Sequence, residues 1–297
     1  MAALFIDLRI ALLNLLEHRR RSAILATAIA VVACLSVLLS ALVSGARNST
    51  LDVATTIATG ELNVGGYFKV TAGQPAAVVS DYQPVKELVQ RTLPELDSMV
   101  DRGRGWGRVI SDQGVAIFAG IAGIDGGAEP RFRNVLSVAS GRLSDLQQPN
   151  TLLLFEEQAK KLGVKVGDSI TLLASTRNGA TNTVDCKVAA IARELGALTR
   201  LVVYISMPTW RQLYRVKNDV TGVLHLRVQP QFADNLPELA ERLRKALRGA
   251  GYQVMEGDGQ ASFNKLDRVS REDFRGQLLD VTTWEEELPF QKWSVGL

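Results

Sequence analysis

Between Arg21 and Arg47 the chain reads SAILATAIAVVACLSVLLSALVSGA, without one charged side chain and apolar on every face. At ~1.5 Å per residue, Ser22 to Gly45 makes a helix of roughly 36 Å, enough to cross a hydrocarbon core of ~30 Å with some tilt. A soluble core seldom uses a helix with no polar face, so the stretch reads as a transmembrane helix. Before it, Leu4, Leu8, Ala11, Leu12, Leu15 and Leu16 share one stripe opposite Asp7, Asn14 and Glu17. Met1 to His18 is therefore expected to form an amphipathic helix, lying along the inner membrane face or extending the span into the cytoplasm. After it, Leu51, Ala54, Ile57 and Ala58 keep a helical spacing from Asn48 to Thr59 before Gly60 breaks it.

Beyond Gly60 the pattern changes to short elements. Glu61 to Thr71 predicts a strand, and Val85, Leu88, Val89 and Leu93 predict a helix over Asp81 to Thr92. Ser98 to Arg104 and Val109 to Ile121 read as paired strands separated by the glycines of GRGWG, completing a β-α-β-β unit. Next come a strand Thr151 to Phe155, a helix Glu156 to Leu162 stopped by Gly163, and a strand Ser169 to Ala174. Arg177-Asn178-Gly179 predicts a hairpin into Thr183 to Arg193, because Asn-Gly tolerates the positive φ of a tight turn. Leu201 to Ser206 adds one more strand. The first pattern then returns as a strand Val223 to Val228, a helix Phe232 to Arg248 and a strand Tyr252 to Glu256. In that helix Phe232, Leu236, Leu239, Ala240, Leu243, Ala246 and Leu247 form one stripe, Pro237 suits the first turn and Gly249 ends it. Gly257 to Asp280, polar and charged, reads as a mobile excursion with a short helix at Arg271 to Leu279.

The expected fold class is α+β: one transmembrane helix followed by a two-lobed outer domain, a split β-α-β lobe with a β-rich lobe inserted. The predicted segments are 1–21, cytoplasmic amphipathic helix; 22–45, transmembrane helix; 46–128, first half of one lobe; 129–206, inserted β-rich lobe; 207–256, second half of the first lobe; and 257–297, charged excursion and return to the membrane. Roughly 240 residues outside the membrane end suffice for cores without disulfide staples. Charge sets the orientation: His18, Arg19, Arg20 and Arg21 precede the span and only Arg47 follows closely. Basic clusters stay cytoplasmic, so Arg19, Arg20 and Arg21 are the expected topology anchor and the main domain is expected outside. A cleaved signal peptide is disfavoured because the apolar run exceeds a typical ~7–15-residue core. A lipidated Cys34 is disfavoured because Leu35 to Val43 continues the membrane pattern where a polar tether belongs.

The net charge of +3 leaves the outer part nearly neutral, which implies no nucleic-acid partner. Cys34 falls in the span and Cys186 in the outer part, so the two are not expected to pair. Gly103-x-Gly105-x-Gly107 lacks the spacing and the Lys-Ser/Thr of a phosphate loop. His18 and His225 have no neighbour at metal-ligand spacing, and His225 reads as a surface or rim residue on a strand. Glu285-Glu286-Glu287 reads as a solvated face. No catalytic residue, cofactor or metal is expected, and the chain is not read as an enzyme.

Taken in order, NLLEHRRRSAILATAIAVVACLSVLL, ATGELNVGGYFKV, LLLFEEQAKKLGVKVGDSITLL, VAAIAREL and TTWEEELPF resemble the MacB/LolC/LolE-type permeases of ABC transporters, over nearly the whole chain. The resemblance implies a periplasmic core of two lobes, often called porter and sabre, carried on a first membrane helix in the bacterial inner membrane. It also implies a second permease copy and an ABC ATPase as partners, with ATP-driven export or lipoprotein release as the outcome. Such permeases carry three further membrane helices, whereas only Leu288 to Leu297 follows the acidic triplet here. The alternative is a single-pass, membrane-anchored binding or adaptor module without transport activity.

Overall fold

A computed structural model describes residues 19–69, 75–176 and 179–289. The amphipathic segment Met1 to His18, the end of the first expected strand, Arg177-Asn178 of the hairpin turn and Phe290 to Leu297 lie outside the described residues. The chain divides into two compact units, Met1–Asp52 and Val53–Leu297.

The described part of the first unit belongs to α1 (Arg19–Ile57), an unbroken helix whose first residues are the exposed Arg19, Arg20 and Arg21. It is the one described helix long and apolar enough to cross a membrane. Its large side chains, among them Ile29, Leu35 and Leu42, stand exposed as lipid-facing residues would. Two of its hydroxyls turn back onto the backbone: Ser36 Oγ donates to the Val32 carbonyl at 2.9 Å and Thr50 Oγ1 to that of Ala46 at 2.9 Å. Such bonds remove the cost of an unpaired hydroxyl in hydrocarbon.

The second unit holds two large sheets. The strands of the first are β1 (Leu62–Lys69), β3 (Leu96–Arg102), β12 (Val223–Val228), β13 (Gln253–Val254) and β14 (Gly276–Thr283), in the order β13-β14-β1-β12-β3. Helices α2 (Tyr82–Thr92) and α6 (Leu236–Gly249) supply its covering layer. Val85 and Val89 of α2 join Leu239, Leu243 and Leu247 of α6 over Leu62, Val64, Leu224, Leu226 and Val281 of the sheet, all buried. A short ladder of β2 (Val79–Ser80) with β11 (Val220–Thr221) stands beside this sheet.

The second sheet contains β4 (Trp106–Ser111), β5 (Ala116–Ile124), β6 (Val138–Gly141), β7 (Thr151–Phe155), β8 (Ser169–Ser175), β9 (Thr181–Ala192) and β10 (Val202–Ser206). Its order is β6-β9-β7-β10-β5-β4-β8, and β8 pairs with β9 as well as with β4. Six strands therefore close into a barrel, which removes the open edges that a flat sheet would expose. Leu152, Leu154, Val109, Ile121, Leu172, Val188 and Ile205 fill it, together with Trp210 and Leu213 of α5 (Met207–Tyr214). Helices α3 (Pro130–Val135) and α4 (Glu156–Leu162) connect its strands; α4 ends at Gly163, whose φ of 70° is the left-handed conformation that a helix C-terminus favours.

The pattern places most elements correctly but mispairs some. Ser98 to Arg104 and Val109 to Ile121 do not pair with each other. β3 pairs with β12 at the edge of the first sheet, while Val109 to Ile121 is itself the β4-β5 hairpin of the barrel. The barrel thus draws strands from before residue 129. Periodicity marks a strand and its buried face but carries no signal for its partner. The polar segment Gly257 to Asp280 is no excursion: it contains α7 (Ser262–Arg271), and it enters β14, which pairs with β1 along all eight of its residues. Its polarity misleads because the polar groups are satisfied inside. Lys265 and Asp280, each 1% exposed at the side chain, pair at 2.9 Å, and Gln277 Nε2 donates to the Val78 carbonyl at 3.0 Å.

The glycines of GRGWG mark the crossing from one sheet to the other. A Cβ at Gly103 would meet the indole of buried Trp210 at 2.4 Å, and one at Gly105 the hydroxyl of Tyr214 at 2.2 Å. No side chain fits there, so the motif serves close packing against α5.

Candidate functional site

The last turn of an α-helix leaves carbonyls without intrahelical partners. In α1 those groups are met by a buried side chain from β3. The Arg102 guanidinium donates to the Ile57 carbonyl at 2.6 Å and to the Thr56 carbonyl at 2.7 Å. Its remaining donors go to the Glu129 carboxylate, with Nε 3.1 Å from Oε2. Both side chains are 4% exposed. Tyr204 Oη, from β10, donates to the same Ile57 carbonyl at 2.9 Å, and the Phe132 ring of α3 lies 5.2 Å beneath the guanidinium. A cation at a helix C-terminus is also favoured by the helix dipole. Burial pulls the Arg102 pKa down, but the adjoining Glu129 carboxylate outweighs it and the net shift is upward. Burial likewise pushes the Tyr204 hydroxyl upward. The group is a charge-paired clamp on the end of α1, built from β3, β10, α3 and the residue preceding α3.

Beside the clamp lies a half-open cavity of about 220 Å³ between the first sheet and the barrel. Its wall is mostly apolar, with Ala58, Ile121, Val202 and Leu266, and Arg102 and Tyr204 of the clamp also reach it. Arg104, His225 and Glu287 bring ionisable groups to the same space. Trp106 and Phe263 stand at its rim, their ring centroids 5.2 Å apart.

His225, read from sequence as a surface or rim residue, is turned inward. It is half-buried on β12, lines this cavity and also a second one of about 220 Å³ bounded by Glu61, Met99 and Arg131, and its Nδ1 is buried without a hydrogen-bond partner. Burial, then the charges of Arg102 and Arg104, hold its pKa well below the ordinary histidine range, so it is neutral at pH 7.

The expected anchor residues Arg19, Arg20 and Arg21 occupy the start of α1, in the other unit, and have no part in this group. Arg102, Glu129 and Arg104 were invisible to the sequence reading. The one signal for the two arginines was charge beside Gly103 in a stretch otherwise patterned as strand, and Glu129, between Ala128 and Pro130, had none. Among the described residues no group of three His, Cys, Asp or Glu is arranged to hold a metal ion. Cys34 and Cys186 are both free, and burial pushes the Cys186 thiol up to about 12.

An apolar helix that continues without a break into a mixed α/β core, where its last carbonyls are clamped, fits a domain carried on a membrane anchor. Residues 22–246 match the family described as MacB-like periplasmic core domain, and the chain belongs to that family. No curated protein matches it. Among solved structures it is similar to the extracellular domain of the ABC-type transporter YknZ from Gram-positive bacteria, at 11% identity over 64% of this chain and 95% of that one, TM-score 0.40. The periplasmic region of MacB from Actinobacillus actinomycetemcomitans matches at 11% identity over 80% and 94%, TM-score 0.40. A domain of a permease protein from Porphyromonas gingivalis matches at 14% over 74% and 86%, TM-score 0.34.

Proposed function

We propose that this chain is the first membrane helix and extracytoplasmic core of an ABC-transporter permease of the bacterial inner membrane, working with an ABC ATPase and a second permease copy in ATP-driven export or lipoprotein release. In this reading the N-terminus is cytoplasmic, the five-stranded sheet with α2 and α6 is the porter-like lobe, and the barrel is the sabre-like lobe. The observation that carries it, beyond family membership, is the clamp on α1. A displacement of the helix end meets first the buried Arg102–Glu129 pair and Tyr204, with Arg102 on the first sheet and Tyr204 on the barrel. A tether that only held a domain near the membrane would need no such fixture.

The test is co-purification of the full chain, after mild cross-linking in its native membrane, followed by ATP turnover of the recovered complex. Recovery of an ABC ATPase whose turnover drops severalfold with Arg102→Met, while the complex stays assembled, supports the reading. Recovery of envelope proteins without an ATPase would favour the adaptor role.

A further inference from the structure

We propose that the cavity between the five-stranded sheet and the barrel binds a single-chain amphiphile with one anionic headgroup, the anion resting on Arg104 and the chain lying against Trp106, Phe263 and Leu266. The proposal needs only the cavity and is independent of the transport reading.

Charge selects the headgroup. Of the ionisable groups facing the space, Arg102 is saturated by Glu129 and two carbonyls. His225 is neutral. Glu287 already accepts from Ser262 N at 3.2 Å, from Ser262 Oγ, and from Thr282 Oγ1 at 2.7 Å, so its charge is spread over three donors. Arg104 is different: half-buried at the cavity wall, its guanidinium has no hydrogen bond or ion pair with any described residue. A partly desolvated guanidinium with its donors free matches the paired oxygens of a carboxylate.

Shape selects the tail. Trp106, Phe118 and Phe263 are 40%, 70% and 60% exposed, and Trp106 stacks on Phe118 with centroids 5.7 Å apart. Three contiguous exposed aromatics beside an apolar cavity form the kind of patch that marks a binding site. At about 220 Å³ the cavity is smaller than the ~300–1,000 Å³ typical of drug-sized ligands, which admits one short chain and not the two of a phospholipid. The occupant is therefore a free amphiphile and not a bilayer lipid.

The experiment photolabels the full chain in lipid nanodiscs with a diazirine-bearing octanoate and maps adducts by mass spectrometry, which separates the cavity from nonspecific partition into lipid. The expected result is labelling at Trp106, Phe263 and Leu266, suppressed by excess octanoate. It should fall on the order of tenfold with Arg104→Gln, be retained in large part with Arg104→Lys, and weaken with Phe263→Ala, an exposed position whose change leaves the fold intact. A diazirine-bearing octylamine should label these residues at least tenfold less. Equal labelling by the amine, no effect of Arg104→Gln at unchanged melting temperature, adducts confined to α1, or labelling of the same residues by a diazirine phosphatidylglycerol built into the nanodisc would each overturn the proposal.

Discussion

At the scale of single residues, His225 and Arg102 differ in how they respond to burial. His225 has lost solvent without gaining an acidic partner, so folding holds it neutral, with its pKa below the unfolded value of ~6.5. Below that pH the unfolded chain binds a proton that the folded chain refuses. The stability from neutral His225 is therefore present above about pH 6.5 and is lost as pH falls toward its folded pKa, by at most ~1.4 kcal/mol per pH unit. Thermal denaturation between pH 7 and 5 should show a decline in Tm that is shallower for His225→Gln, and parallel curves would mean that His225 is solvated. Arg102 instead keeps its charge by pairing. Arg102→Met leaves Glu129 buried and unpaired and uncovers the Thr56 and Ile57 carbonyls, for an expected loss of ~3–5 kcal/mol. Chemical denaturation measures it, and adding Glu129→Leu should recover part of the loss. A cost below about 1 kcal/mol would show the pair to be solvated.

At the scale of elements, α6 was legible because one requirement dominates it. Leu236, Leu239, Ala240, Leu243 and Leu247 are all buried on one face, at the spacing that the sequence displays. Leu239→Asp places an unpaired charge between α6 and the sheet and should lower Tm on the order of 10 °C or prevent folding; an unchanged melting curve would remove α6 from the core. Strand β14 was illegible for the opposite reason. Asp280 is buried by its pairing with Lys265, and half-buried Gln277 also accepts from the Ser80 N–H at 2.9 Å, so a strand at the heart of a sheet carries the polarity of a loop. Hydropathy measures transfer from water and cannot register that the partners wait on β2 and α7.

For the whole molecule, orientation in the membrane is the outstanding expectation, and it rests on charge alone. Replacing Arg19, Arg20 and Arg21 by neutral residues while adding three lysines after Arg47 should invert or scramble insertion. A cysteine introduced at the exposed Asn264, in a Cys34→Ala background, reports it through reaction with a membrane-impermeant thiol reagent. Labelling from outside in the parent and its loss in the variant are the expected outcomes; equal labelling in both would show that the arginines do not set topology. Cys186 should stay silent in this assay, being buried with its thiol far from ionisation.

By itself the sequence determined the elements whose reason is local: the uncharged helix of α1, the β7-α4 pair over Thr151 to Leu162, the amphipathic α6, and the family these spacings resemble. Hydrophobic period and end signals are properties of neighbouring residues and survive without the fold. Tertiary structure alone decided the strand pairings, the closure of the barrel, and the clamp and cavity. Arg102 meets Glu129 27 residues away and Ile57 45 residues away, and Tyr204 reaches Ile57 across 147. A charged side chain's burial is bearable only when such distant partners arrive together, and no local pattern in the chain announces that they will.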